Sequence, residues 1–468
     1  METIVRPLRV AIIGSGPAGF YAADHLFKQA GGPVEIDMFD RLPTPFGLVR
    51  GGVAPDHQKI KNVTRVFDRI ARHDAFCFFG GVDIGRDLSV LELESYYHAV
   101  IYATGAQTDR SLGIPGEDLP GSFSATEFVA WYNGHPDFRD RTFDLSKKEV
   151  VIIGVGNVAV DVARILCRTP EELEKTDIAD YALEALRSSD VRRVYLLGRR
   201  GPGQAAFTNP ELRELGDLQT ADLIIRKRDL DLDPHTLRHL AEHPDRETST
   251  KLDTLRQIAE RPLKNAKRQL HLRFLESPVE ILPGPDGRVA AVRTVINQIE
   301  PRGDRLSAIP TDEFEEIPAG TVFRSVGYRG IPITGLPFDE QRGVIPNDGG
   351  RVVDVDGAIR RGHYVAGWIK RGPSGVIGTN KPCSIETVDL LLADVAEGAV
   401  GNPQSPERAA VRALLDERRP GYYTYADWLC IDAHETRLGQ SAGRPRRKLT
   451  SESEFRQALA DMTETSDS

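Results

Sequence analysis

An α/β chain made of two glycine-loop units, the second inserted into a discontinuous first, is the fold class this sequence predicts. Three observations predict it. Two segments of the GxGxxG kind, Gly14-Ser15-Gly16-Pro17-Ala18-Gly19 and Gly154-Val155-Gly156-Asn157-Val158-Ala159, each stand between a short apolar run and a stretch of helical periodicity. The strands that follow them end in opposite charge, Asp40 after the first and Arg199-Arg200 after the second. Further apolar runs ending in small residues return beyond the second unit, the last of them before Gly367-Trp368.

The elements follow in order. Leu8 to Ile13 is the first strand, and Phe20, Tyr21, Ala22, Ala23 and Leu26 continue at helical spacing. Gly14 permits the tight turn, Gly16 lets the backbone approach a pyrophosphate, and Gly19 lets helix and strand pack closely. The helix start offers amide N–H groups and partial positive charge to phosphates. Val34 to Phe39 is the next strand, and Asp40 follows the last glycine by about 20 residues, where a ribose ligand is expected. Ala99 to Tyr102 is a further strand, ending in Ala103-Thr104-Gly105. In the second unit Val150 to Ile153 is the strand and Val158 to Leu166 the helix, with Ala159 keeping the close packing of a third glycine. Its next strand, Val194 to Leu197, arrives roughly 40 residues after the motif, later than the usual spacing. The intervening Thr169 to Ser189 alternates acidic and apolar residues and reads as an inserted helical pair. Val322 to Val326, ending in Gly327, and Tyr364 to Ala366 complete the strands, with short crossings near Gln107 and Gly327 joining the units. The expected boundaries are residues 1–107, 108–327 and 328–468, the last with a C-terminal extension.

A carboxylate at the end of that second strand accepts hydrogen bonds from a free ribose, whereas arginines there present planar, bidentate donors to a 2′-phosphate. The two Rossmann-like, dinucleotide-binding units therefore read as holding different nucleotides, most simply FAD in the first and NADPH in the second. That pairing describes a flavoprotein that passes reducing equivalents onward.

Composition sets the bounds. At 468 residues the chain exceeds one compact core, and two or three domains are expected. An apolar share of 40% with 28% charged residues describes a soluble globular protein. No apolar stretch reaches the ~18 residues of a membrane span and Met1 to Arg9 lacks a signal-peptide core, so a cytoplasmic protein is expected. A net charge of −9 argues against a nucleic-acid partner and leaves room for a local basic patch. Cys77, Cys167, Cys383 and Cys430 form no CxxC or CxxxxC pair, so dithiol–disulfide chemistry is excluded and any iron–sulfur cluster belongs to a partner. No metal site is expected, the cysteines are expected to be buried and structural, and the polar Thr463 to Ser468 is expected to fray.

Three further segments carry a resemblance. They are Pro43-Thr44-Pro45-Phe46-Gly47-Leu48-Val49-Arg50 with Gly52-Val53-Ala54-Pro55-Asp56-His57, then Gly198-Arg199-Arg200-Gly201, then Gly367-Trp368-Ile369-Lys370-Arg371-Gly372-Pro373-Ser374-Gly375-Val376-Ile377-Gly378-Thr379-Asn380. With them the chain resembles the adrenodoxin-reductase-like family of ferredoxin–NADP⁺ reductases and is similar to its bacterial members across nearly its whole length. Trp428, Ile431-Asp432, Glu435 and Gly443-Arg444-Pro445-Arg446 also resemble the family.

The resemblance implies FAD contacts at Ala18, Asp40, Leu48 and Ile84, with Trp368, Gly375, Val376 and Ile377 lining the isoalloxazine. It implies NADP contacts at Val155, Gly156, Asn157, Val158, Arg199, Arg200 and Glu211, and at the backbone around Gly375. It also places His57 and Glu214 near nicotinamide and flavin. On residue type alone, a histidine in a Pro/Gly-rich loop is more often a structural hydrogen-bonder. A carboxylate on a short helix such as Pro210 to Leu215 usually faces water. The work implied for the two is positioning and electrostatic tuning, since hydride transfer needs no protein nucleophile.

The implied activity moves a hydride from NADPH C4 to FAD N5 and then single electrons to a small acidic iron–sulfur ferredoxin, with cytochrome P450 systems as one destination. An acidic partner calls for a basic face, and Arg226 to Arg228 and Lys264 to Arg273 are the candidates. Two other classes stay open. One is an NADPH-dependent flavin monooxygenase or a diaphorase/quinone reductase on the same domain plan. The other is a non-catalytic redox-sensing or electron-feeding subunit, against which the full nucleotide-contacting set argues.

Overall fold

The computed structural model describes residues 7–303 and 305–466; Met1 to Arg6, Asp304, Asp467 and Ser468 lie outside the described residues. A seven-stranded sheet runs in the order Asn347–Asp348, Arg351–Val353, Ile359–Val365, Ala99–Tyr102, Leu8–Ile13, Val34–Asp40 and Phe76–Gly80. Its last five strands are parallel. A six-stranded sheet runs Ser122–Ser124, Thr321–Arg324, Glu149–Ile153, Arg193–Leu197, Arg268–Arg273 and Ala221–Ile225, all parallel. Between them the chain crosses twice, and the crossings Thr108–Asp109 and Tyr328–Arg329 pair antiparallel.

Both parallel sheets are covered on two faces, which is why their strands read as unbroken apolar runs. On one face of the first sheet, Phe20 of helix Pro17–Gln29 stacks on Phe67 of helix Thr64–Ala71 at 4.9 Å, and Val388 and Leu391 of helix Asn380–Ala396 join the same core. On the other face Phe39, Phe79 and Tyr102 meet Val90, Leu93, Val411 and Leu415. In the second sheet, helices Asn157–Cys167, Asp180–Arg187, Asn209–Gly216 and Arg246–Glu260 cover one face. The other is covered by an antiparallel sheet of Glu276–Pro283, Val289–Arg302 and Arg305–Pro318, whose Ile281, Val292 and Ile317 pack on Val151, Leu197 and Val322. That third sheet is absent from the expectations above. Its strands are half exposed, carry Pro278 and Pro310 and bulge at Val295/Asn297, and the apolar Val289 to Val292 follows no glycine motif.

The late strand of the second unit has a local cause. Pro170–Leu173 and Asp180–Arg187 are both helical, and Thr169 caps the first through a reciprocal bond with Glu172. At the C-terminus, helices Tyr425–Ser441 and Glu452–Ser466 flank a basic segment that ties the units together. Lys448 Nζ donates to Asn133 O at 3.0 Å and Arg50 O at 3.2 Å, and Arg444 donates to Thr176 O at 3.0 Å and Asp180 at 2.6 Å. Two expectations need correction. The last helix runs through Ser466, so the backbone of Thr463 to Ser466 is helical, while Asp467 and Ser468 of the segment expected to fray lie outside the described residues. Cys167 and Cys383 are buried, but Cys77 and Cys430 are only half-buried; all four are free thiols. Among the described residues no helix is long and apolar enough to cross a membrane.

Candidate functional site

The two glycine loops share one design. Gly14 and Gly154 hold φ of 105° and 123°, where a side chain would strike Ala103 O and Ser325 O on the neighbouring strand end. Gly16 and Gly156 differ: their backbone is extended (φ −78° and −92°), and a Cβ on either meets nothing within 4 Å. The space above those two is open, and the helices behind start there with free N–H groups, which is the cradle a pyrophosphate needs. Gly19 packs its Cα edge on Gly14 O, while Ala159 is fully buried in the equivalent place.

Asp40, at the end of Val34–Asp40, accepts the Ser15 N–H at 2.9 Å and the Ser15 hydroxyl at 2.6 Å on one oxygen, and the Leu42 N–H at 2.9 Å on the other. It shapes the first loop and keeps acceptor capacity for a ribose. Phe46 takes a left-handed φ of 84° and donates its N–H to Ser15 O at 3.0 Å, laying the turn before Leu48 across the loop. Leu48 is half-buried there. Ile84 is buried in the core with Phe39 and Phe79, so a ligand would meet its backbone and not its side chain. Ala18 is also buried; Ser384 Oγ donates to its carbonyl at 2.9 Å, and the Gly367 Cα stands beside its methyl. That contact brings the Trp368 segment to the first loop.

Trp368 is half-buried, 5.5 Å from the Tyr328 ring, and donates its indole N–H to Ser374 O at 3.1 Å. Arg371 braces the loop that follows, donating to Ser374 Oγ, Thr379 Oγ1 and Asn380 Oδ1 at 3.1–3.2 Å. Gly375 (φ 77°) and Val376 are exposed on this loop and Ile377 is half-buried. A cavity of about 550 Å³ opens beside it, lined by Arg371, Gly375, Thr379 and Cys383.

At the second loop Val155 and Val158 are half-buried, and Asn157 Oδ1 accepts the Thr208 N–H at 3.0 Å, leaving the loop backbone for a ligand. Arg199 is exposed and Arg200 half-buried beyond strand Arg193–Leu197. Neither guanidinium has a carboxylate or hydrogen-bond partner among the described residues, and burial together with the neighbouring Arg199 charge lowers the Arg200 pKa. Two like charges held together without an acid are poised for an anion.

Between the units lies a charged seam. His57 Nε2 is 2.6 Å from Glu214 Oε2, joining the loop of the first unit to helix Asn209–Gly216. Burial lowers the His57 pKa, but the Glu214 hydrogen bond outweighs it with help from Asp161 and Asp56, and the net direction is upward. The same hydrogen bond holds Glu214 below the usual carboxylate range. Glu211 is buried and faces Arg164 at 3.1 Å; desolvation and the nearby Asp161 push its pKa up. Glu211 is thus part of this seam, on the helix that carries Glu214. The sequence reading missed Asp56, Asp161, Arg164 and Arg168, which complete it. The i, i+3 spacing of Asp161 and Arg164 on the second-loop helix was the available signal.

In the candidate docking runs most cations are paired within the fold, while Lys227 and Lys267 are exposed. Arg226 pairs with Asp229 and Glu276, Arg228 with Glu315, and Arg273 with Glu276 and Glu315. Lys264 Nζ is spent on Leu218 O and Arg268 on Arg168 O. Arg226, Arg228 and Arg273 serve the fold around the third sheet. By contrast Lys59, Arg65 and Arg69, beside the partly exposed Ile60 and Val66, are exposed without an acid partner among the described residues.

Comparison with known proteins agrees with this geometry. Residues 8–195 match the family model described as pyridine nucleotide-disulphide oxidoreductase. The chain is 47% identical over 462 residues to the NADPH-ferredoxin reductase FprA of Mycobacterium tuberculosis, covering 96% of this chain and 99% of that one. It is 44% identical over 459 residues to the mitochondrial NADPH:adrenodoxin oxidoreductase of Bos taurus, covering 96% and 92%. The solved structure of Mycobacterium tuberculosis FprA in complex with NADPH superposes with a TM-score of 0.90 at 46% identity, over 97% of this chain and all of that one.

Proposed function

The chain belongs to the adrenodoxin-reductase-like family of ferredoxin–NADP⁺ reductases, and we propose that it takes a hydride from NADPH onto FAD and delivers single electrons to a small acidic iron–sulfur ferredoxin. FAD supplies the conversion between a two-electron donor and one-electron acceptors. Everything else is the work of this chain's residues.

In this reading residues 1–107 and 328–468 form the FAD unit and 108–327 the NADP unit, in keeping with which strands share a sheet. The loop at Gly14, Gly16, Ala18 and Gly19, with Asp40, Leu48 and the Ile84 backbone, holds the adenosine side of FAD. Trp368 and Gly375 to Ile377 flank its ring. The loop at Val155 to Val158 holds the NADP pyrophosphate, and Arg199 and Arg200 its 2′-phosphate. His57 and Glu214 hold charge and orientation where the two units meet, and Glu211 reaches the nucleotide through the same seam. Lys59, Arg65 and Arg69 offer the acidic partner its counter-charge. A cytoplasmic location belongs to the same proposal.

The observation that carries this reading is the contrast between the loops: a carboxylate after the first, and an unpaired arginine pair after the second. The test is an anaerobic titration of the flavin-loaded protein with NADPH and, separately, NADH. Bleaching of the flavin at far lower NADPH than NADH is expected. Bleaching indifferent to the 2′-phosphate would overturn the assignment of the second unit.

A further inference from the structure

Arg164 is fully buried on helix Asn157–Cys167, and its guanidinium meets acids from three elements. Nε bonds Asp56 Oδ2 at 2.7 Å and Nη2 bonds Asp56 Oδ1 at 3.1 Å, in the loop of the first unit. Nη2 also bonds Asp161 at 2.7 Å on its own helix. Nη1 lies 3.1 Å from Glu211 and 3.4 Å from Glu214 on helix Asn209–Gly216. Nη2 then comes within 3.5 Å of His57 Nδ1. One side chain therefore touches both members of the His57–Glu214 pair and ties the loop beside one to the helix beneath the other.

We propose that Arg164 is the positioning residue of hydride transfer: it locks the loop carrying His57 against the helix carrying Glu214, and with them the two nucleotide units. The proposal rests on the reading of the two units given above. The five carboxylate contacts use a planar fork of five donors, whereas a lysine is a point charge with three donors on a flexible stem. An N–H pointed at His57 Nδ1 leaves Nε2 as the protonated nitrogen, so the same guanidinium also selects the tautomer that donates to Glu214. The other charges facing the pair are Asp56 and Asp161, which favour a protonated His57, and Arg168, which pairs with Asp56 at 2.8 Å. The buried phenols of Tyr132 and Tyr328 face Asp161 from the neighbouring helix and crossing strand.

The test compares FAD-loaded Arg164→Lys and Arg164→Met with the wild type, in single-turnover bleaching by NADPH across pH. Both variants are expected to keep NADPH affinity, because the 2′-phosphate clamp lies elsewhere, and to lose about 10²-fold in bleaching rate through misplacement of donor and acceptor. In Arg164→Met the His57 midpoint, read by imidazole NMR, is expected to rise by about one unit, since a cation that holds it down is gone. Wild-type rates and an unmoved midpoint in the loaded variants would overturn the proposal. So would equal losses of affinity and rate with no midpoint shift, which mark a merely structural arginine. Should Arg164→Met fail to fold, Arg164→Lys carries the rate test: an undiminished rate there refutes the need for a fork. Failure of the wild type to bleach would instead refute the functional reading, and the imidazole midpoint still tests Arg164.

Discussion

Replacing Glu214 by Gln removes the charge facing His57 and keeps the shape. At the observed 2.6 Å between Nε2 and Oε2, Coulomb attraction is about 1.6 kcal/mol at the dielectric of water and about 6 kcal/mol at an effective value of 20. Glu214 is 45% exposed, so screening places the pair at the low end, about 1.4 kcal/mol or one pKa unit. Arg164 and burial both push His57 down, so with Glu214 neutral these win and the histidine falls to or below its ordinary range. The sign of the stability effect follows. His57 is raised on folding, so its share of stability is full below the ordinary histidine range and is lost as pH rises through the folded value. Glu214 is lowered, so its share is present above the ordinary carboxylate range and is lost as pH falls through the folded value. The pair therefore stabilises the fold in the window between the two. The assay is imidazole NMR, with His57→Gln to assign the resonance, alongside melting temperatures in mildly acidic and mildly alkaline buffer. The variant's His57 midpoint should drop by about one unit, and its melting deficit should appear in acid and vanish in alkali. An unmoved or raised midpoint, or a deficit that grows in alkali, would refute the argument.

Three further outcomes are expected. Arg199→Ala with Arg200→Ala removes two charge-assisted contacts of about 1.5 kcal/mol each, so NADPH affinity should fall about 10²-fold while NADH binding and melting temperature stay put; equal loss for both nucleotides in equilibrium titration would count against the clamp. Gly16→Val should fold, because its backbone is extended and its Cβ meets open space, yet purify without flavin absorbance, whereas Gly14→Ala should cost folded yield through its clash with Ala103 O; a flavin-loaded Gly16→Val would contradict the cradle. Reversing Lys59, Arg65 and Arg69 to Glu should raise the KM for an acidic ferredoxin about tenfold and abolish its salt dependence, with NADPH-driven ferricyanide reduction unchanged. An unchanged KM would move the docking face elsewhere.

What the sequence made legible was what local chemistry dictates. Gly14 and Gly154 are required by positive φ and a carbonyl at their backs, Asp40 stands at the usual spacing, and Arg199-Arg200 were picked out by their strand end despite the late strand. Of the interdomain seam His57, Glu211 and Glu214 came only through the family resemblance, and Asp56 and Arg164 were missed because they are far apart in the chain until the fold gathers them. The antiparallel sheet was missed because its strands need only one buried face, and Arg305–Pro318 in particular is largely exposed and polar. In the basic runs at Arg226 and Arg273 the local charge excess is partly answered by Glu276 and Glu315, from the antiparallel sheet the reading lacked.

The central claim is that this chain turns one NADPH into two single-electron deliveries. The most direct measurement mixes the flavin-loaded protein, in catalytic amount, with limiting NADPH and excess oxidised [2Fe–2S] ferredoxin under anaerobic conditions, and follows the ferredoxin's visible absorbance. The account predicts two ferredoxins reduced per NADPH consumed, with NADH ineffective at the same concentration. Flavin that bleaches while the ferredoxin stays oxidised would contradict it.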